Sequence, residues 1–153
     1  MNLVDELHRV TGALHAGSVR YAVCGGIAVT IHGATRSTKD IDLLIARVDV
    51  PAALAAVRPL GFEYPALPMT FDAGTERARS IQRVSKLEGG EHLIVDFILA
   101  EGPFAGMLDR AVIISLPEGP LRVLDRETLL AMKRLAARAQ DLADIEKLER
   151  PEP

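Results

Sequence analysis

YAVCGGIAVTIHGATRSTKDIDLLI, residues 21 to 45, holds an apolar run, a glycine pair and two aspartates separated by one isoleucine. The run YAVC is short, apolar and halted by Gly25 and Gly26, the pattern of a buried strand that ends in a turn. Ile27 to His32 predict a short helix ended by Gly33, and IDLLIA predicts a second strand. A strand that turns at glycine into a helix and then returns as a strand points to an α/β or α+β domain with a short mixed sheet flanked by helices.

The flanks extend the same alternation. Leu3, Val4, Leu7, Val10 and Leu14 recur at helical spacing, and Gly17 closes that segment. After Asp49, a plausible N-cap with Pro51 near the first turn, AALAAVRPLG predicts a helix stopped by Pro59 and Gly61. Residues 64–79 carry no clear period. SIQRVSKL alternates, Glu88-Gly89-Gly90-Glu91 turns, and HLIVDFIL is apolar except for one aspartate, which predicts a hairpin. Short strands VIIS and LRVL follow, and a helical segment begins near Asp125. The expected division is one domain over residues 1–150, with a core at about 18–124 and C-terminal helices at about 125–149. The tail Pro151-Glu152-Pro153 is expected to fray.

Composition narrows the function classes. The chain has 153 residues, 48% hydrophobic and 25% charged, enough for one domain with its own core. Four Phe, two Tyr and no Trp leave that core to aliphatic side chains. A net charge of -3 argues against a broad basic surface for nucleic acid, while leaving room for a local cationic pocket. The lone Cys24 excludes an internal disulfide, argues against a Cys-based zinc site and suits a reducing cytoplasm. No stretch approaches the roughly 20 apolar residues of a membrane span, so no membrane partner is expected.

Asp40 and Asp42 stand at i and i+2 on or beside a strand, so both side chains point to one face. Asp96 sits at the centre of an apolar strand, where an unpaired carboxylate costs several kcal/mol. If the two strands are neighbours, three carboxylates converge on one patch. That arrangement suits one or two hard divalent cations, Mg2+ or Mn2+. Gly25 and Gly26, ending a strand and opening a helix, suit a phosphate held by backbone N–H groups. Metal carboxylates beside a phosphate-binding turn are the elements of nucleoside triphosphate chemistry.

These residues resemble the DNA polymerase β-like nucleotidyltransferases, and within them the minimal and AbiEii-type, toxin-like bacterial members. The resemblance rests on Gly25-Gly26, thirteen intervening residues, Asp40-Ile41-Asp42-Leu43 and the later Asp96. It extends to HGATRSTKDIDLLI and to the C-terminal MKRLAARAQDLADIEKL. It implies the nucleotidyltransferase fold with a C-terminal helical segment. Asp40, Asp42 and Asp96 are then the metal-binding and catalytic carboxylates, Asp96 helping to activate an acceptor hydroxyl. Gly25 and Gly26 hold the triphosphate, Lys133 reaches its phosphates, and Arg36 neutralises pyrophosphate or orients the loop. Thr38, Arg138, Asp141 and Asp144 are weaker site candidates, one of the last two serving to support Lys133 or Arg138. Gly26 stands where many relatives carry Ser or Thr, and Ala137 replaces the second of a lysine pair.

The implied activity is transfer of a nucleoside monophosphate from a nucleoside triphosphate, ATP among them, to a hydroxyl of tRNA or protein. The implied biology is the toxin of a toxin–antitoxin pair, with an antitoxin partner or a homodimer formed on the Leu129 to Leu148 stripe. One alternative is a triphosphate- or partner-binding module of the same fold, to which Gly26 and Ala137 speak. A second is a metal-dependent phosphohydrolase that turns the same carboxylates on water.

Overall fold

The structure, a computed structural model, describes residues 1–34 and 37–150. Arg36 and the tail 151–153 therefore lie outside the described residues.

Helix α1 (Leu3–Ala16) starts where Asn2 accepts hydrogen bonds from the backbone N–H groups of Val4 and Asp5, and it buries Leu7, Val10 and Leu14. Strand β1 (Ala22–Cys24) is wholly buried and passes directly into α2 (Gly25–Ile31). Then come β2 (Asp40–Ile45), α3 (Val50–Val57), β3 (Phe62–Pro65), β4 (Met69–Phe71), β5 (Arg79–Glu88) and β6 (Glu91–Leu99). The hairpin β7 (Ala111–Leu116) and β8 (Gly119–Leu124) leads to α4 (Arg126–Ala136) and α5 (Ala139–Glu149).

The strands form one mixed sheet in the order β3-β5-β6-β2-β1-β8-β7, with β4 also pairing β5. β2 runs parallel to β6 and β1 parallel to β8, while the remaining pairs are antiparallel. The central strands carry the core: Ile41, Leu43, Leu44, Ile45, Val95 and Phe97 are fully buried. Burial on both faces explains why IDLLI reads as a continuous apolar run rather than an alternation. The fold is therefore the mixed α/β arrangement expected from the sequence.

Two local readings change. Residues 64–79, without a visible period, contribute β4 and the second half of β3, both largely exposed and held by pairing to β5. Such strands are recruited by a neighbour's edge, which no local pattern records. Asp49 makes no side-chain capping bond, because a 3-10 turn over Arg47–Asp49 leads straight into α3. No helix among the described residues is long and apolar enough to cross a membrane.

Candidate functional site

Four side chains from four strands form one row. Cys24 is in register with Asp42, Asp42 with Asp96, and Asp96 with Arg83. Registered partners project from the same face of a sheet, and Asp40 joins them from two residues back on β2. Ile41, Leu43, Val95 and Phe97, one position out of phase, take the other face. The same period that buries the strands thus gathers the acids. Asp40 and Asp42 are half-buried and Asp96 is 7% exposed.

Gly25 is required where β1 becomes α2. Its φ is +63°, and a Cβ there would lie 2.0 Å from Asp42 Oδ2. The Asp42 carboxylate therefore packs against the turn itself. Cys24 provides no side-chain cap to α2, so no side chain of the cap residue covers the helix's first N–H groups. Gly26 is buried inside that first turn. Burial, followed by the charge of Asp42, pushes the Cys24 thiol well up from its ordinary range, which keeps it protonated and unreactive. His32, at the end of α2, donates from Nε2 to the Leu124 carbonyl at 2.8 Å and ties the helix to β8.

Arg83 grips Asp96 in a two-pronged bond, Nε to Oδ1 at 2.8 Å and Nη2 to Oδ2 at 3.0 Å. That bond raises the Arg83 pKa against partial burial, with the charges of Asp96, Asp40 and Asp42 adding to it. A cavity of about 300 Å³ opens over the row, lined by Gly25, Thr38, Asp40, Asp42, Asp96 and Arg83 and floored by Met69, Phe71, Ile81 and Ile98. Arg79, also in its wall, lies over the Phe71 ring at 5.2 Å and pairs with Asp72 at 2.8 Å.

The opposite wall comes from the C-terminal helices. Lys133, 5% exposed, directs its ammonium to Asp144 at 2.9 Å and Asp141 at 3.3 Å. Arg138 donates from Nε to Asp141 Oδ2 at 2.8 Å and from its backbone N–H to the same oxygen at 3.1 Å. Burial works to raise the Asp141 pKa, but the bond from Arg138 and the charge of Lys133 outweigh it, and the pKa is lowered. Gln140 donates to Asp144 at 2.9 Å. Lys133, Arg138 and Asp141 line the cavity with the three acids, whereas Asp144 is fully buried. Thr38 lies at the cavity mouth, 3.5 Å from the Asp40 carbonyl oxygen. Arg36 lies outside the described residues.

Arg83 was not singled out in the sequence. The signal was present: a two-residue turn at Gly89-Gly90 sets the hairpin register, and counting back from it places Arg83 opposite Asp96. Among the described residues, no three His, Cys, Asp or Glu groups converge as a metal site as their side chains stand.

No sequence-family profile matches the chain, and no curated protein matches it in sequence. Solved structures do. The chain is similar to the lincosamide antibiotic adenylyltransferase LnuA, solved with lincomycin bound, at 15% identity and a TM-score of 0.59 over 97% of both chains. ANT(2")-Ia, in complex with adenylyl-2"-tobramycin, aligns at 16% identity and a TM-score of 0.58, over 95% of this chain and 86% of that one. The Thermotoga maritima protein TM1012, assigned as a nucleotidyltransferase, aligns at 15% identity and a TM-score of 0.61, over 97% and 93%. At these identities the likeness establishes the nucleotidyltransferase fold.

Proposed function

We propose that this protein transfers a nucleoside monophosphate from a nucleoside triphosphate to an acceptor hydroxyl. The observation that carries the reading is the in-register pair Asp42 and Asp96 on parallel strands, with Asp40 on the same face beside the Gly25 turn. Three carboxylates on adjacent strands offer only hard oxygen donors, which fits Mg2+ or Mn2+. When bound, the ion neutralises phosphate charge and polarises the reacting oxygens.

The chain's own residues supply the rest. Gly25 lets the chain turn tightly beside the Asp42 carboxylate, so that the backbone N–H groups at the start of α2 stand next to the acids, where a metal-bound phosphate would lie. Gly26 completes that turn, and Lys133 and Arg138 stand on the facing wall as the cations that would meet the phosphates, each held by carboxylates of α5. Thr38 lines the same cavity, and Arg36 is proposed for the pyrophosphate on the resemblance alone. Asp96 receives the proton of the acceptor hydroxyl as its oxygen attacks the α-phosphorus, and the bond to the β-phosphate breaks to release pyrophosphate. Asp141 and Asp144 hold Lys133 in place rather than touch substrate.

Two acceptor classes are in view. The resemblance of the C-terminal segment to AbiEii-type proteins supports tRNA or protein, in a cytoplasmic toxin paired with an antitoxin. The ligands of LnuA and ANT(2")-Ia support a small hydroxylated molecule. Leu142, 56% exposed on α5, is the part of the Leu129 to Leu148 stripe left for an antitoxin or a second copy. A binding module without turnover is the second reading, because Lys133 is held by two carboxylates instead of pointing free into the cavity.

The test is magnesium-dependent transfer from each α-labelled nucleoside triphosphate to total RNA, to protein extract and to lincomycin. Asp42→Asn is expected to abolish labelling and retain the fold. Label that survives this change refutes the assignment of Asp42, and triphosphate binding without label on any acceptor favours the binding module.

A further inference from the structure

Asp96 needs a cation whether or not substrate is present, since it is a carboxylate at the centre of an apolar strand. Arg83 supplies it and in doing so occupies both carboxylate oxygens, one per prong. An ion held jointly by Asp42 and Asp96 has to take at least one of those oxygens. With Arg83 on Asp96, the registered pair Asp42 and Asp96 and the nearby Asp40 do not form a three-acid metal site among the described residues as their side chains stand. Arg83 is also suited to leave: its side chain is 38% exposed, against 10% for Asp96, and it faces the cavity.

Resting on the nucleotidyltransferase reading, we propose that Arg83 is a placeholder cation. It neutralises Asp96 in the resting site, yields that carboxylate to the incoming divalent ion, and swings its guanidinium onto a phosphate oxygen of the bound triphosphate. A guanidinium binds phosphate in the same two-pronged manner as carboxylate, so the exchange keeps its hydrogen bonds. Arg83 is thus a positioning residue for metal loading, and it couples that loading to triphosphate binding. Arg79 shares the wall but pairs with Asp72 and stacks on Phe71, so it has no part in the exchange.

The experiment follows the Arg83 Nε–H resonance in nitrogen-labelled protein, identified by its loss in Arg83→Lys, during titration with Mg2+ alone and then with triphosphate. Expected is a displacement of the resonance from its hydrogen-bonded position with Mg2+, its return when triphosphate is added, and no response to Mg2+ in Asp42→Asn. In parallel, Mn2+ affinity of the nucleotide-free protein is read by electron paramagnetic resonance. Arg83→Lys keeps the charge but loses the fork, and is expected to bind Mn2+ about tenfold tighter, the scale of a typical coupling between two competing ligands. Arg79→Gln removes a neighbouring charge and is expected to stay within about twofold of wild type. An Arg83 resonance that ignores Mg2+ while Mn2+ binds overturns the exchange and leaves the metal reading standing, as does equal tightening in Arg79→Gln. Mn2+ binding by neither wild type nor Arg83→Lys overturns the metal reading, and the exchange with it.

Discussion

At Gly25 two constraints coincide, a left-handed backbone and the contact of a carboxylate from the next strand. Either alone would favour glycine, and together they leave no other residue. Gly25→Ala adds about 1–2 kcal/mol of backbone strain and also drives its methyl into Asp42. It is therefore expected to lower stability by at least that amount in urea unfolding, and to depress transfer far more than the stability loss explains. Wild-type transfer in this variant would show that the close approach of Asp42 to the turn is dispensable. Gly33 is the control: its φ is +99°, but a Cβ there meets nothing within 4 Å. Gly33→Ala is expected to show the strain without the catalytic loss.

At the scale of elements, α4 and α5 act as one clasp. Ala137 takes a left-handed conformation, φ 50°, which stops α4 and turns the chain so that α5 brings Asp141 and Asp144 to Lys133. Lys133→Met leaves the buried Asp144 without its cation and is expected to cost about 3–5 kcal/mol. Pairing it with Asp144→Leu is expected to recover part of that, because Asp141 keeps Arg138. The pKa of Asp141 is lower in the folded protein than in the unfolded chain. Its contribution is therefore fully present above the unfolded value of about 3.9 and is lost as pH falls through the lower folded value. The stability gap between wild type and Asp141→Asn, measured by urea unfolding at neutral pH and again near pH 3, is expected to narrow in acid. A gap that widens would contradict the assigned sign.

Across the whole molecule, a second buried pair ties the first helix to the far side of the sheet. Lys86 on β5 meets Glu6 of α1 at 2.9 Å, both nearly fully buried, with the ammonium 5.7 Å from the centre of the Phe62 ring. Arg9 reaches Glu6 at 3.5 Å and Glu88 reaches Lys86 at 3.2 Å, both from exposed positions, and Glu6 Oε2 is buried without a hydrogen-bond partner among the described residues. Lys86→Met is expected to destabilise by about 3–5 kcal/mol, while the double variant Lys86→Met with Glu6→Leu is expected to regain most of it. A single variant as stable as wild type in thermal unfolding would remove this contact as a fastening of α1. The pair lies on α1 and β5 away from the acid row, so transfer by the folded fraction is expected to be unchanged.

Much of this architecture was legible in the sequence because it is local. Apolar runs broken by glycine set β1, β2 and the hairpin β5 and β6; one residue of phase along β2 set which side chains share a face with Asp40 and Asp42. What the sequence determined by itself was therefore the order of most elements, the shared face of Asp40 and Asp42 and the glycine turn beside them. Only the tertiary structure decided that β2 and β6 are neighbours with Asp42 opposite Asp96, since strand adjacency depends on contacts between residues far apart in the chain. It likewise decided that β4 joins the sheet and that Lys133 is claimed by Asp141 and Asp144. Each of those is a pairing of charges or edges with no period of its own, settled by which surfaces the folded core brings within reach.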